Sequence, residues 1–253
     1  MSLDWMSLAA IAVAALAVGL LVGTTSVGGV MLVPALIFWG GLGVHQAAAT
    51  VLASSIFTGA LGAWLYSRRG SFEWRMVWPL CVGAVPAGYA GALLASQVDA
   101  GPLGLIIGVL IVAAGALILR PPPALSGGRG RSRLADTAVL LGIGTTAGFG
   151  SGLSGAGGPI FSTPMMMVMR FAPLAAIGAS QGMMILASVS GSAAHLLTGA
   201  IVPDVLLLIT VGQLIGVAAG VGLAHSLPTA MLRKLAAWMC VAAGALMVIR
   251  AVA

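Results

Sequence analysis

The longest stretch without a charged side chain sets the strongest limit on how this chain folds. No Asp, Glu, Lys or Arg occurs in residues 5–67, and further uncharged stretches cover 137–169, 171–203 and 205–232. A helix that crosses a bilayer needs roughly 20 predominantly apolar residues, so the first stretch alone has room for three crossings. The sequence therefore predicts an all-α polytopic membrane protein.

Composition and charge agree with this prediction. Hydrophobic residues make up 60% of the chain and charged residues 6%, whereas about a quarter of the residues in soluble proteins are charged. The net charge of +6 is spread over short loops, which indicates membrane orientation and not a nucleic-acid partner. Cys81 and Cys240 lie in apolar runs without the neighbours of a metal or redox motif, so we expect buried thiols, no metal and no cofactor.

A shift of 129 residues superimposes one half of the chain on the other. It places glycine on glycine at nine positions, among them Gly23 on Gly152, Gly28 on Gly157 and Gly83 on Gly212. Such an internal repeat indicates a gene duplication. Each half contains five apolar segments: 5–22, 29–42, 47–67, 75–97 and 101–119, then 135–149, 157–169, 174–198, 203–225 and 231–252.

We therefore predict a first transmembrane repeat at 1–119, a cytoplasmic linker rich in Arg, Pro and Gly at 120–134, and a second transmembrane repeat at 135–253. An odd number of crossings in each half follows the positive-inside rule best. It leaves only Arg250 on the outer side and gives the cytoplasm the linker, Arg68, Arg69, Arg75, Arg170, Arg233 and Lys234. This favours two inverted repeats of about four to five helical segments each, eight to ten in total.

Two glycine-rich junctions occupy matching positions in the halves. The first is "GTTSVGGVMLVP" at 23–34, and the second is "GFGSGLSGAGGPIFSTP" at 148–164. Gly and Pro lower helix stability by about 1 and about 3 kcal/mol, and non-helical backbone at membrane depth must be buried in protein or line a polar cavity. We therefore predict broken or re-entrant helices with an anion site between them, while tight helix packing is the alternative interpretation.

The candidate substrate-binding residues come from these junctions and from the third and eighth segments. They are glycines that allow close approach and side chains that carry a hydroxyl or amide: Thr24, Thr25, Ser26, Gly28, Gly29, Thr50, Ser54, Ser154, Gly155, Gly157, Gly158, Ser180 and Gln181. We expect the junction hydroxyls, including those of Ser162 and Thr163, to donate hydrogen bonds to the anion. His195, in a hydroxyl-rich segment, is the candidate for gating or proton coupling.

These motifs resemble the sulfite exporter TauE/SafE family of membrane transporters. The likeness rests on "GTTSVGGVMLVP", "AAATVLASS" and "GLSGAGGPIFSTP" in a duplicated chain of this length. Ser26 and Val30 replace glycines of the family's first motif, and Pro159 replaces the last glycine of the second. The resemblance implies about eight spans and export of sulfite or a small organosulfur or related organic anion.

The mechanism follows from the missing charges. No Asp, Glu, Lys or Arg lies well inside a segment, so we expect passive efflux driven by the membrane potential. A proton-coupled anion transporter and a non-transporting partner subunit are the alternatives, and no enzymatic activity is expected because the motifs of a membrane-embedded enzyme are missing. The expected partners are a small anion and the lipid bilayer, and a homo-oligomer is possible from the sequence. The expected location is the bacterial inner membrane.

Overall fold

The computed structural model of the protein describes residues 4–95, 132–154, 158–196 and 201–252, together with eight isolated helical positions between 105 and 119. Within these ranges the chain forms α-helices and no strand. Nine helices have defined bounds: α1 Trp5–Thr25, α2 Leu32–Phe38, α3 Val44–Arg68, α4 Trp74–Ala95, α5 Arg133–Ser154, α6 Pro159–Val168, α7 Pro173–Leu196, α8 Pro203–Ser226 and α9 Thr229–Val252. A short 3-10 turn, Gly29–Met31, leads into α2.

The helices follow the predicted repeat. α3 begins at Val44 and α7 at Pro173, and α4 begins at Trp74 and α8 at Pro203, so each pair is offset by 129 residues. The predicted fifth segment is helical at its described positions, while the linker 120–131 lies outside the described residues. The division into two repeats and a linker remains a prediction.

Among the residues that the structure describes, four helices are long and apolar enough to cross a membrane by length and composition. They are Trp5–Thr25, Gln46–Arg68, Pro173–Ser190 and Pro203–Ser226. Large apolar side chains are exposed along these helices, among them Val13, Trp64 and Leu207. Such exposure is typical of a surface in contact with lipid, and the predicted all-α polytopic membrane fold is confirmed.

The first helix of each repeat packs against the fourth helix of the other repeat: α1 on α8, and α5 on α4. Glycines allow the backbones to approach closely, because a side chain at Gly216 would collide with the Leu16 carbonyl and one at Gly144 with the Leu80 carbonyl. This is the small-residue packing that membrane helices use. The exchange of equivalent helices ties the two repeats into one body.

The third helices of the two repeats, α3 and α7, pack against each other in opposite directions. Gly62 of α3 lies beside Gln181, and Tyr66, one turn further along α3, lies beside Gly178, one turn earlier in α7. Equivalent helices that run antiparallel are the arrangement that inverted repeats produce. The C-terminal ends of α3 and α8 lie together, with the guanidinium of Arg69 3.4 Å from the carbonyl oxygen of Val221.

The breaks in the helices are shorter than the sequence predicts. α1 continues through Gly23 to Thr25, and α5 continues through Gly148 to Ser154. Gly148 packs directly on the backbone of Ala84, so tertiary contact outweighs the poor helix propensity of glycine there. Pro159 occupies the first turn of α6, where its missing N–H costs no helical hydrogen bond.

Candidate functional site

A small cavity lies where the two junctions approach the middle of the long helices. Ser55 and Thr58 come from the middle of α3, Met184 from the middle of α7 and Gln213 from the middle of α8. The remaining lining residues belong to the two junctions and their flanks: Val22, Ser26, Val27, Gly28, Gly29, Pro159 and Ile160. The centre of a water molecule can occupy about 30 Å³ of it, which is about twice what one water needs.

The first junction turns sharply through two residues with positive φ. Ser26 lies in the left-handed region with a φ of 61°, and Gly28 has a φ of 149°, which a residue with a side chain adopts only with strain. The Ser26 amide donates to the carbonyl oxygen of Val22 over 2.8 Å and ends α1. The turn thus places Gly28 and Gly29 at the cavity wall.

Three side-chain hydrogen bonds between the end of α1 and its neighbouring helices hold it in place. The hydroxyl of Ser26 donates to the Ile177 carbonyl over 2.9 Å. The hydroxyl of Tyr66 donates to the Gly23 carbonyl, and Nε2 of Gln181 donates to the Val22 carbonyl, both over 2.9 Å. The Tyr66 bond satisfies a carbonyl that the end of α1 leaves unpaired, and the three bonds together fix the junction against α3 and α7.

Two glutamine amides are buried at membrane depth. Gln181 is fully buried beside the junction, and Gln213 lines the cavity with 1% of its surface exposed. Within the described part of the chain, Oε1 of each has no hydrogen-bond partner. An unpaired buried amide oxygen costs about 1 to 3 kcal/mol, so the Gln213 amide has capacity left for a ligand.

The hydroxyls at the cavity differ in what they can still donate. Ser26 donates its proton to Ile177, and Ser55 donates to the Val51 carbonyl over 2.9 Å. Thr58 is held only weakly, at 3.3 Å and 3.4 Å from two carbonyls of its own helix. Ser26 and Ser55 are therefore left with lone pairs and no free proton, and Thr58 retains a proton that it can donate.

Several predicted site residues form hydrogen bonds with backbone groups elsewhere in the protein and lie outside the cavity lining. Thr24 donates to carbonyls of α1, and Thr25 bonds to Leu21 and Val27. Thr50 donates to the Gln46 carbonyl and accepts from the Val202 amide, and Ser54 donates to Val51. Ser and Thr commonly satisfy their hydroxyls in this way inside membrane helices.

The second junction contributes differently from the first. Ser180 is buried in a hydroxyl cluster with Ser162 at 2.7 Å and Thr163 at 2.9 Å, which joins α6 to α7, so these hydroxyls are engaged with one another. Gly158 is buried just before α6, beside the methyl group of Met183. Gly155 and Gly157 lie outside the described residues, and for Ser154 and His195 only the helical backbone is described.

Sequence reasoning omitted Ser55, Thr58, Met184 and Gln213 from the candidate site. A helical spacing was available, since Ser55 and Thr58 are three residues apart and share a face. The repeat offered a second signal, because Met184 is the counterpart of Ser55 at the shift of 129 residues. In the described part of the chain, no group of three or more His, Cys, Asp or Glu is placed to hold a metal ion.

A cavity that presents a few polar side chains between two junctions of matching position, inside a polytopic all-α bundle, is typical of a membrane transporter. The sequence model of the sulfite exporter TauE/SafE family matches residues 11–247, and the chain belongs to this family of membrane transporters. No curated protein and no solved structure shows a significant match to the chain.

Proposed function

We propose that this protein exports sulfite or a small organosulfur or related organic anion across the bacterial inner membrane, and that the anion passes through the central cavity. The observation that carries the proposal is the meeting of both junctions with the middle of α3, α7 and α8 around one cavity, whose mainly apolar lining includes three hydroxyls and one amide. Membership of the TauE/SafE family supports an anion of this class.

The donors for the anion come from the backbone and from two side chains. The Gly28–Gly29 turn has no side chain between its amides and the cavity, and the amide of Gln213 and the weakly held hydroxyl of Thr58 add further N–H and O–H groups. Hydrogen bonds to a charged group contribute about 1.5 to 3 kcal/mol each. A few such donors replace the water that a small anion loses.

The driving force in this proposal is the membrane potential. Among the described residues no charged side chain lines the cavity, so the site carries no proton relay of the kind that pumps use. Moving one negative charge out of a negative-inside cell releases about 2.3 kcal/mol per 100 mV. Efflux down this potential needs no coupling ion.

Purified full-length protein in liposomes loaded with sulfite tests the proposal. Efflux should rise when an imposed potential makes the liposome interior negative and stop when the potential is reversed. Efflux that follows a pH gradient and ignores voltage would favour proton-coupled transport. No efflux of sulfite, sulfonates or carboxylates would favour a partner subunit without a substrate of its own.

A matched pair of glycine variants links the flux to the cavity. Gly29→Leu fills the cavity from its wall, where the nearest atom to an added Cβ is the Ser55 hydroxyl at 4.0 Å. We expect it to abolish efflux while membrane insertion persists. Gly142→Leu is the control, because Gly142 faces open space on α5 and a side chain there meets nothing within 4 Å; its efflux should equal that of the parent.

A further inference from the structure

The cavity combines two features that limit the charge of its ligand. No charged side chain lines it within the described part of the chain, so no counter-charge offsets the cost of dehydrating an ion. That cost rises with the square of the charge, and a dianion therefore loses about four times as much hydration free energy as a monoanion of the same size. A cavity with room for about two waters keeps little of the hydration shell.

The hydrogen-bonding pattern of the lining also disfavours a dianion. Ser26 and Ser55 belong to the lining and have committed their protons to carbonyls at 2.9 Å each, so toward a ligand their oxygens can act only as acceptors. Oε1 of Gln213, a residue of the lining, is a buried acceptor without a partner among the described residues. A fully deprotonated oxyanion has no proton to give these oxygens and meets their lone pairs with its own.

We infer that the cavity selects the singly charged, protonated form of an oxyanion over its dianion: for sulfite, hydrogen sulfite. The inference rests on the proposed function and specifies the substrate form for that same site. The anion's oxygens accept from backbone amides, Thr58 and Gln213, and its remaining proton is donated to Ser55 or Ser26. The side chains thus recognise both the charge and the proton of the ligand.

The charge carried per anion tests this inference in liposomes that hold the full-length protein at a clamped potential. At pH 6 and at pH 8 we expect one charge to move per sulfite, with a rate that follows the hydrogen sulfite concentration and so falls at pH 8. Two charges per sulfite, or a rate that follows the dianion, would overturn the inference. If no tested anion moved at all, the proposed function would be refuted instead. Failure of the inference and failure of the proposed function are therefore distinguishable.

Methanesulfonate is the control anion, because it is a monoanion at both pH values and has no O–H group. Its flux should carry one charge and should not change between pH 6 and pH 8. If methanesulfonate moved no net charge, the protein would be carrying a proton itself, and the inference would be wrong.

Two neighbouring serines provide a matched pair of variants. Ser54 and Ser55 both donate to the Val51 carbonyl, but only Ser55 lines the cavity. Ser55→Ala removes an acceptor, and we expect the flux of sulfite relative to methanesulfonate at pH 6 to fall about fivefold, as for one hydrogen bond. Ser54→Ala should leave that ratio unchanged. If Ser55→Ala and the parent had the same ratio of sulfite flux to methanesulfonate flux at pH 6, the role of the serine acceptors would be refuted.

Discussion

Ser55 of α3 and Met184 of α7 occupy equivalent positions of the two repeats, 129 residues apart, and both line the central cavity. The antiparallel helices α3 and α7 therefore both form part of the cavity wall. Its two sides nevertheless differ chemically, because the first repeat contributes hydroxyls and the second contributes a thioether. Of the described polar side chains in the lining, those of Ser26, Ser55 and Thr58 come from the N-terminal half of the chain and that of Gln213 from the C-terminal half.

Met184→Ala should widen the cavity on its apolar side. The change removes three heavy atoms from the lining without touching Ser55 or Gln213. We expect ethanesulfonate efflux to rise several-fold relative to sulfite efflux in proteoliposomes, because the larger anion gains the space that the thioether occupied. An unchanged ratio of the two fluxes would show that Met184 does not limit the size of the solute.

The two glycines of the first turn should differ in their tolerance of alanine. Gly28 has a φ of 149°, so Gly28→Ala should lower the free energy of unfolding in detergent by about 1 to 3 kcal/mol. Gly29 has ordinary backbone angles and its added Cβ would lie 4.0 Å from the Ser55 hydroxyl, so Gly29→Ala should fold with a stability within about 0.5 kcal/mol of the parent. Equal destabilisation by both variants would contradict the described turn.

Gly62 and Gln181 should be coupled energetically. A Cβ on Gly62 would lie 2.7 Å from Cδ of Gln181 and push the amide away from the Val22 carbonyl. Gly62→Ala alone should therefore destabilise the protein by about 1 to 3 kcal/mol. In a Gln181→Ala background the same methyl group has room, so its effect should shrink by at least about 1 kcal/mol. A double-mutant cycle of unfolding free energies measures this coupling, and additive effects would exclude the contact.

The packing of α1 on α8 depends on glycines that no side chain can replace. A Cβ on Gly216 would meet backbone atoms of Leu16 and Leu20, which cannot move aside as a flexible side chain can. Gly216→Ala should destabilise the fold by about 1 to 3 kcal/mol. Gly142→Ala, which meets nothing within 4 Å, should not destabilise it. The comparison is made by unfolding in detergent, and equal stability of the two variants would disprove close packing at Gly216.

The sequence predicts the helices well because the signals for them are local. Uncharged stretches define the spans, and paired glycines reveal the shift that relates α3 to α7. The length of the breaks depends on tertiary contact, as at Gly148, where packing on Ala84 keeps a glycine-rich segment helical. Helix propensity alone therefore overestimates the length of the helix break at both junctions.

The cavity lining is harder to predict because it depends on the direction of each hydroxyl and on contacts between distant helices. Thr24 and Thr25 look like ligands in the sequence, but they donate to carbonyls of their own segment. Gln213 lines the cavity because α8 packs on α1, a pairing across the two repeats that no local pattern encodes. For Gly155, Gly157 and His195 a role in transport remains a prediction.

The location of a bound anion tests the central claim most directly. Selenite, a heavier analogue of sulfite, can be soaked into crystals of the full-length protein and located by anomalous scattering at the selenium edge. We predict a peak in the cavity within hydrogen-bond distance of Gln213 and Ser55, close to the Gly28–Gly29 turn. A well-occupied selenium peak elsewhere in the membrane region, with this cavity holding only water, would contradict the account.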